Sequence, residues 1–197
     1  DKWTKQENHG TIESLYEKYP TEAEWAKKEA QQIELGHKDF PNSLVDKKIQ
    51  NALDGEDYWV LIGGPPCQAY SMAGRSRVGG IREDDARVFL YREYLRIIAV
   101  HHPAVFVMEN VRGMLSAKVE GKRIFDWIKK DLQKPGRLFP GKNSPNYKIY
   151  SFVREPKEIG PDGQPVYKSD SDFLIKMENY GIPQKRHRVI LLGLRED

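Results

Sequence analysis

Two short apolar runs, DYWVLIGG beginning at Asp57 and AVFVMEN at 104–110, constrain this chain most. Each is rich in branched and aromatic residues, each is too short for a helix, and the first ends in a pair of glycines, as a buried strand entering a turn does. Between them, Phe89, Leu90, Tyr94, Leu95, Ile97 and Ile98 recur at helical spacing over about 86–100. Strand, helix and strand in that order predict a parallel pair joined by a crossover helix, and hence an α/β fold.

The remaining segments fit around that pair. Thr21 and Glu24 have the spacing of a capping box, and Trp25, Ala26, Ala30, Ile33 and Leu35 share one helical face, which predicts a helix over 22–35 ending at Gly36. A second amphipathic helix is predicted over 121–133, where Ile124, Trp127, Ile128 and Leu132 are spaced by three or four. Residues 134–147 and 154–170 concentrate proline, glycine and charge and read as long excursions. YKIYSFV at 147–153, a segment at 172–177 and RVILLGL at 188–194 read as strands, the last two joined by the turn NYGIPQ. Helices interleaved early and strands crowded late predict a mixed sheet whose last strands pair antiparallel.

Composition narrows the class. At 197 residues the chain is long enough for one domain with a full core, and no run approaches the roughly twenty apolar residues of a membrane span. The opening residues DKWTKQENHG lack a secretion signal. A single cysteine excludes an internal disulfide framework and any zinc site built from several thiolates, so no metal is expected and a reducing, cytoplasmic compartment is. Net charge is +3, but residues 1–60 carry −5 and residues 61–197 carry +8. A basic second part suits an anionic partner such as nucleic acid, and a solvated lysine-rich surface would look the same.

Three clusters could carry chemistry. Cys67 follows the first strand in LIGGPPCQAYSMAGRSR, where ligands of open parallel sheets bind, and the two prolines preset the direction of the thiol. A lone cysteine more often serves as a small buried hydrophobe. Here Arg75, Arg77, Arg82 and Arg87 follow closely and would favour the nucleophilic thiolate. Glu109 and Asn110 end the second strand, so a carboxyl able to donate a proton and a thiol could share one cleft; alone, such a carboxyl would cap a helix or be solvated. In NYGIPQKRHR, strand alternation predicts Arg186 and Arg188 on one face and His187 on the other.

These clusters, in this order, resemble the cytosine-5 DNA methyltransferase family. GGPPCQ with Ser71 is similar to the family's catalytic-cysteine motif, MENV at 108–111 to its glutamate motif, and YGIPQKRHR at 180–188 to its arginine-bearing motif. The resemblance runs from about Val60 to Leu194 and implies a class I S-adenosylmethionine-dependent methyltransferase fold, a Rossmann-like sandwich with a mostly parallel sheet bearing one antiparallel strand. It implies Cys67 as nucleophile toward carbon 6 of cytosine, Glu109 as the acid at ring nitrogen 3, Arg188 on the cytosine edge, Arg186 in support, and Asn110 holding the proline turn through Pro66. S-adenosylmethionine is the implied cofactor, with Pro66 and Leu90 as contacts. Duplex DNA is the implied partner, its target cytosine flipped out of the stack, with Gln68, Ser71, Arg75 and Arg87 meeting it.

The sequence departs from the family in lacking its opening Phe-x-Gly-x-Gly-Gly loop, its target-recognition region and its final motif. The expected organisation is therefore an N-terminal helical segment, 1–56, weakly matched to the family, before a catalytic core segment, 57–197, forming the incomplete middle of a longer bacterial or phage modification enzyme. Two alternatives stay open: a relative acting on transfer RNA, and a non-catalytic nucleic-acid-binding fragment that must combine with a missing part.

Overall fold

The computed structural model describes residues 11–65, 91–119 and 121–196. Its contacts divide the chain into two units, Asp1–Pro41 and Asn42–Asp197.

In the first unit, helix α1 (Ile12–Lys18) is capped by Thr11, whose side chain accepts from the Ser14 N–H. Helix α2 (Pro20–Glu29) starts one residue before the expected capping box, because Pro20 at its first position has no N–H to satisfy and a φ already suited to the helix. It also ends before the expected residue 35. Ala30 leaves the helical conformation, and the Gln31 side-chain amide donates to the Lys28 carbonyl at 2.6 Å, occupying an acceptor that a helix end leaves open. The predicted apolar face is accordingly not a packed one: Trp25 is 64% exposed, and Ala23 is the buried residue of α2.

The second unit opens with helix α3 (Asn42–Leu53), which the sequence reading does not single out. Strands β1 (Val60–Gly63) and β2 (Val105–Val111) are parallel and linked through helix α4 (Tyr91–His101), as expected. A hairpin of β3 (Lys118–Val119) and β4 (Lys122–Arg123) leads into helix α5 (Ile124–Gln133). Strand β9 (His187–Arg195) pairs antiparallel with β2 on one edge. On its other edge it pairs antiparallel with β5 (Tyr147–Ser151) and then β8 (Leu174–Lys176), which lie end to end. Strands β1, β2, β5 and β8 thus share one direction and β9 alone opposes them, which is the mixed α/β sheet with one antiparallel strand that the sequence implied.

Between β5 and β8 the chain makes one excursion carrying the hairpin of β6 (Glu158–Ile159) and β7 (Pro165–Val166). The strand expected at 172–177 is shorter because a 3-10 turn, Asp170–Phe173, takes up its beginning. Ser151 stitches the excursion shut: its Oγ donates to the Asp172 carbonyl at 2.6 Å, and its N–H donates to the Tyr167 hydroxyl at 2.8 Å.

The core lies on the sheet face that α4 and α5 cover. Phe106 and Met108 of β2 and Val189 and Leu191 of β9 alternate into it, against Leu95, Ile98, Ile128 and Leu132 of the helices. The Phe106 ring stands edge-on to Tyr94 at 6.2 Å and tilted against Tyr147 at 5.2 Å. Opposite it in register is Gly193, where a Cβ would come within 2.1 Å of the ring, so this crossing requires glycine. Tyr94 also ties β1 to β2, its hydroxyl reaching the carbonyls of Leu61 at 3.2 Å and Val107 at 2.9 Å. Burial pushes the Tyr94 phenol up, which keeps it a donor.

Helix α3 is held to α4 by charge. Asp46 Oδ1 accepts from Arg96 Nη1 at 2.7 Å and lies 2.9 Å from His101 Nε2. Burial pushes the Asp46 carboxyl up, but the hydrogen bonds from Arg96 and His101 outweigh it and hold the group below its ordinary range.

Two stability outcomes follow. Gly193→Ala should cost about 1–3 kcal/mol by overpacking against Phe106, read as a lower urea midpoint at unchanged m. Asp46→Asn strips the nearly buried Arg96 of its closest anion and should cost about 1–3 kcal/mol at neutral pH. Because the folded-state pKa of Asp46 is depressed, its contribution is complete above the unfolded carboxylate pKa and lost as pH falls through the folded value. The gap between wild type and variant should therefore close in acid, measured by thermal melts from pH 7 to pH 3.

Candidate active site

Strand β1 ends with Gly63 opposite Met108, so the next residue, Gly64, lies beside Glu109. A Cβ on Gly64 would approach Glu109 Oε2 to 3.0 Å; glycine lets the backbone pass the carboxylate at this point. The expectation that the two strand ends adjoin is met for the chain leading to Pro65. Glu109 itself points away from the helix-covered face, since its neighbours Met108 and Asn110 are the buried ones.

Strand β9 supplies the partner. In register, Ile190 faces Glu109 and Arg188 faces Val111, which makes Arg188 the diagonal neighbour of Glu109 on the same sheet face. Arg188 Nε lies 2.6 Å from Glu109 Oε1, with side-chain exposures of 19% and 41%. The contact is a close ion pair rather than a directed hydrogen bond, because the N–H of this buried Nε is not aimed at the carboxylate. The guanidinium is anchored instead through Nη1, which donates to the His187 carbonyl at 2.9 Å.

His187 occupies the opposite face, as alternation predicts. Its Nε2 lies 2.7 Å from Glu178 Oε1, a partner that sequence reasoning missed. Glu178 belongs to a 3-10 turn, Met177–Tyr180, which Gly181 closes in the left-handed conformation at φ 79°. The hydrogen bond with His187 is the main cause that holds the Glu178 carboxyl below its usual range.

Arg186 requires a correction. The alternation that grouped it with Arg188 does not reach it, because β9 begins at His187. Arg186 sits in the preceding turn, where its N–H donates to the Gln184 carbonyl and its carbonyl accepts from Met177, and its side chain is exposed. Asn110 is buried: Oδ1 accepts from the Val111 N–H at 2.8 Å, while Nδ2 is enclosed with no hydrogen-bond partner among the described residues. Pro66, Cys67, Gln68, Ser71, Arg75, Arg87 and Leu90 lie outside the described residues.

A separate pocket of about 390 Å³ lies beside β8, lined in part by Arg154, Asp172, Lys176 and Tyr180; neither Glu109 nor Arg188 borders it. Among the described residues no cluster of three or more His, Asp or Glu side chains could hold a metal ion, and no helix is long and apolar enough to cross a membrane.

Comparison with known proteins shows the family. The profile of the C-5 cytosine-specific DNA methylase family matches residues 11–140. The type II methyltransferase M.Bpa9945I of Bacillus paralicheniformis is 31% identical over 96% of this chain and 40% of its own length. The type II methyltransferase M1.HphI of Haemophilus parahaemolyticus is 41% identical over 78% of this chain and 32% of its own. Among solved structures, a protein described as a DNA modification methyltransferase encoded within an Escherichia coli prophage aligns over 76% of this chain and 30% of its own, at 23% identity and a TM-score of 0.43. The matched region spans between 25% and 43% of the length of these and similar curated relatives. With the profile covering more than half of its residues, the chain belongs to the C-5 cytosine-specific DNA methylase family.

Proposed function

We propose that the chain carries the nucleophile and the proton donor of a DNA cytosine-5 methyltransferase. The observation that carries this reading is the meeting of Glu109 and Arg188 at the carboxyl end of β2, beside Gly64, with the segment PPCQ next in sequence. Carbon 5 of cytosine is a poor nucleophile. Addition of the Cys67 thiolate to carbon 6, with Glu109 hydrogen-bonding and protonating ring nitrogen 3, converts the ring to an enamine whose carbon 5 can accept a methyl group. Loss of the carbon-5 proton to a base, expulsion of the Cys67 thiolate and return of the nitrogen-3 proton to Glu109 then restore the aromatic ring. Arg188 holds the cytosine edge and keeps the Glu109 side chain in place, and Arg186, from its exposed turn, supports the same site.

The enclosed and unpartnered Nδ2 of Asn110 supports a part for that residue in holding the proline turn, since a buried amide donor is costly to leave unused. The methyl donor in this reading is S-adenosylmethionine, which supplies an electrophilic methyl group when bound. Pro66 and Leu90 would hold it, at the carboxyl side of the parallel pair, where an open α/β sheet receives a ligand. The substrate is duplex DNA with the target cytosine turned out of the stack, met by Gln68, Ser71, Arg75 and Arg87. The role in this reading is modification within a restriction–modification system, and the naming of the relatives as type II methyltransferases supports it.

The test is covalent trapping with duplex DNA that carries 5-fluorocytosine, in the presence of S-adenosylmethionine, because fluorine cannot leave as a proton does. An adduct mapped to Cys67 by mass spectrometry and lost in Cys67→Ser is expected. No adduct, either with this chain or with a longer protein containing it, would overturn the assignment. Glu109→Gln should slow adduct formation by about 10²–10⁴-fold. Its effect on stability should stay within about 1 kcal/mol, because the Glu109 side chain is 41% exposed and its carboxyl is screened by solvent on that side.

A further inference from the structure

The place of Arg188 against Glu109 depends on the peptide that precedes it. Its Nη1 donates to the His187 carbonyl at 2.9 Å, which makes that carbonyl the hydrogen-bonded anchor of the guanidinium. The same peptide is gripped from the other face of the strand by the His187 imidazole, whose Nε2 lies 2.7 Å from Glu178 Oε1. The grip falls where the sheet is weakest: Lys176↔His187 is the last pair of the β8–β9 ladder, and β8 is only three residues long. Terminal pairs of short ladders fray unless something outside the ladder holds them.

One further contact makes the loop a closed unit. The Met177 N–H donates to the Arg186 carbonyl at 3.2 Å, so residues 177–186 are clamped by one backbone bond and, a step further along, by the Glu178–His187 pair. Glu178 Oε2 is buried with no hydrogen-bond partner among the described residues, so the contact of Oε1 with His187 is the side-chain hydrogen bond this carboxylate makes there.

We propose that Glu178 is a positioning residue: through His187 it fixes the peptide that orients Arg188, and so holds Arg188 against Glu109. The consequence for methyl transfer rests on the reading of Arg188 and Glu109 given under Proposed function. The positional claim stands on the contacts from Glu178 to His187, from His187 to Arg188 and from Arg188 to Glu109.

The experiment reads Arg188 directly. The Arg188 Nε is buried, so its proton exchanges slowly in the wild type and can be followed by nitrogen-15 NMR, the resonance being assigned by its loss in Arg188→Lys. Glu178→Ala should speed that exchange by about tenfold or more, the change that loss of one charge-assisted hydrogen bond supports. Glu178→Gln, which keeps an acceptor for His187, should restore most of the protection. His187→Ala should match Glu178→Ala, and the double variant should be no worse than either single, since both cut the same link.

Exchange within about twofold of wild type in both alanine variants would overturn the proposal. So would an equal acceleration at the nearly buried Arg96, which would indicate general loosening, or losses that add in the double variant. In the trapping assay, Glu178→Ala should slow adduct formation while DNA affinity stays unchanged. If wild type forms no adduct but the exchange results hold, the functional reading fails and the positional one survives.

Discussion

Strand β9 runs against every strand it touches, and the geometry of the site depends on that direction. It is hydrogen-bonded along both edges, to β2 across seven residue pairs and to β5 and β8 on the far side. Because it is antiparallel, its first residues lie at the carboxyl ends of β1 and β2, where Gly64 and Glu109 are. A parallel strand in the same slot would bring its last residues there and carry Arg188 to the opposite end of the sheet. Side-chain alternation does the rest, sending Val189, Leu191 and Gly193 into the core while Arg188 stays on the face of Glu109.

Much of this fold was legible because burial leaves a pattern. The runs at 57–64 and 104–110 and the spacing of Ile124, Ile128 and Leu132 give β1, β2 and α5 within a few residues of their observed bounds. Helix α3 was not legible: its sequence NSLVDKKIQNAL buries Val45, and its hold on α4 is the ionic contact of Asp46 with Arg96 and His101, which has no periodic signature. The end of α2 was misread for a related reason. Trp25, Ile33 and Leu35 have helical spacing, yet a side-chain amide at Gln31 satisfies the end of the helix first.

The site divides in the same way. Glu109 and Arg188 could be nominated from their places at the ends of apolar runs, but their pairing is a matter of register between strands far apart in sequence, and register is settled by packing. Arg186 was placed by extending alternation past the point where the strand begins. Glu178 carried no signal, because a turn of unknown shape separates it from His187, and only the folded loop brings the two within 2.7 Å. What a sequence conveys well is which residues are apolar and at what interval; what it conveys poorly is which polar groups a turn folds together.

The excursion between β5 and β8 has a consequence for how such a chain tolerates change. The two strands occupy successive stretches of one edge of β9, so the intervening residues leave a line of pairing and return to it without shifting its phase. Its length is therefore uncoupled from the sheet: segments of other sizes could be spliced in at this point while every ladder keeps its partners. Two points are fixed: Phe173 at the anchoring end is buried between Phe125 and Tyr167 with ring centroids at 5.5 and 4.7 Å, and Gln164 is buried where it donates to the Tyr147 carbonyl at 3.0 Å and accepts from Gln133 at 3.1 Å. A graft that keeps Ser151, Gln164, Tyr167 and Phe173 would inherit both the stitch and the plugs, which makes this loop a natural port for adding new binding surface to the scaffold.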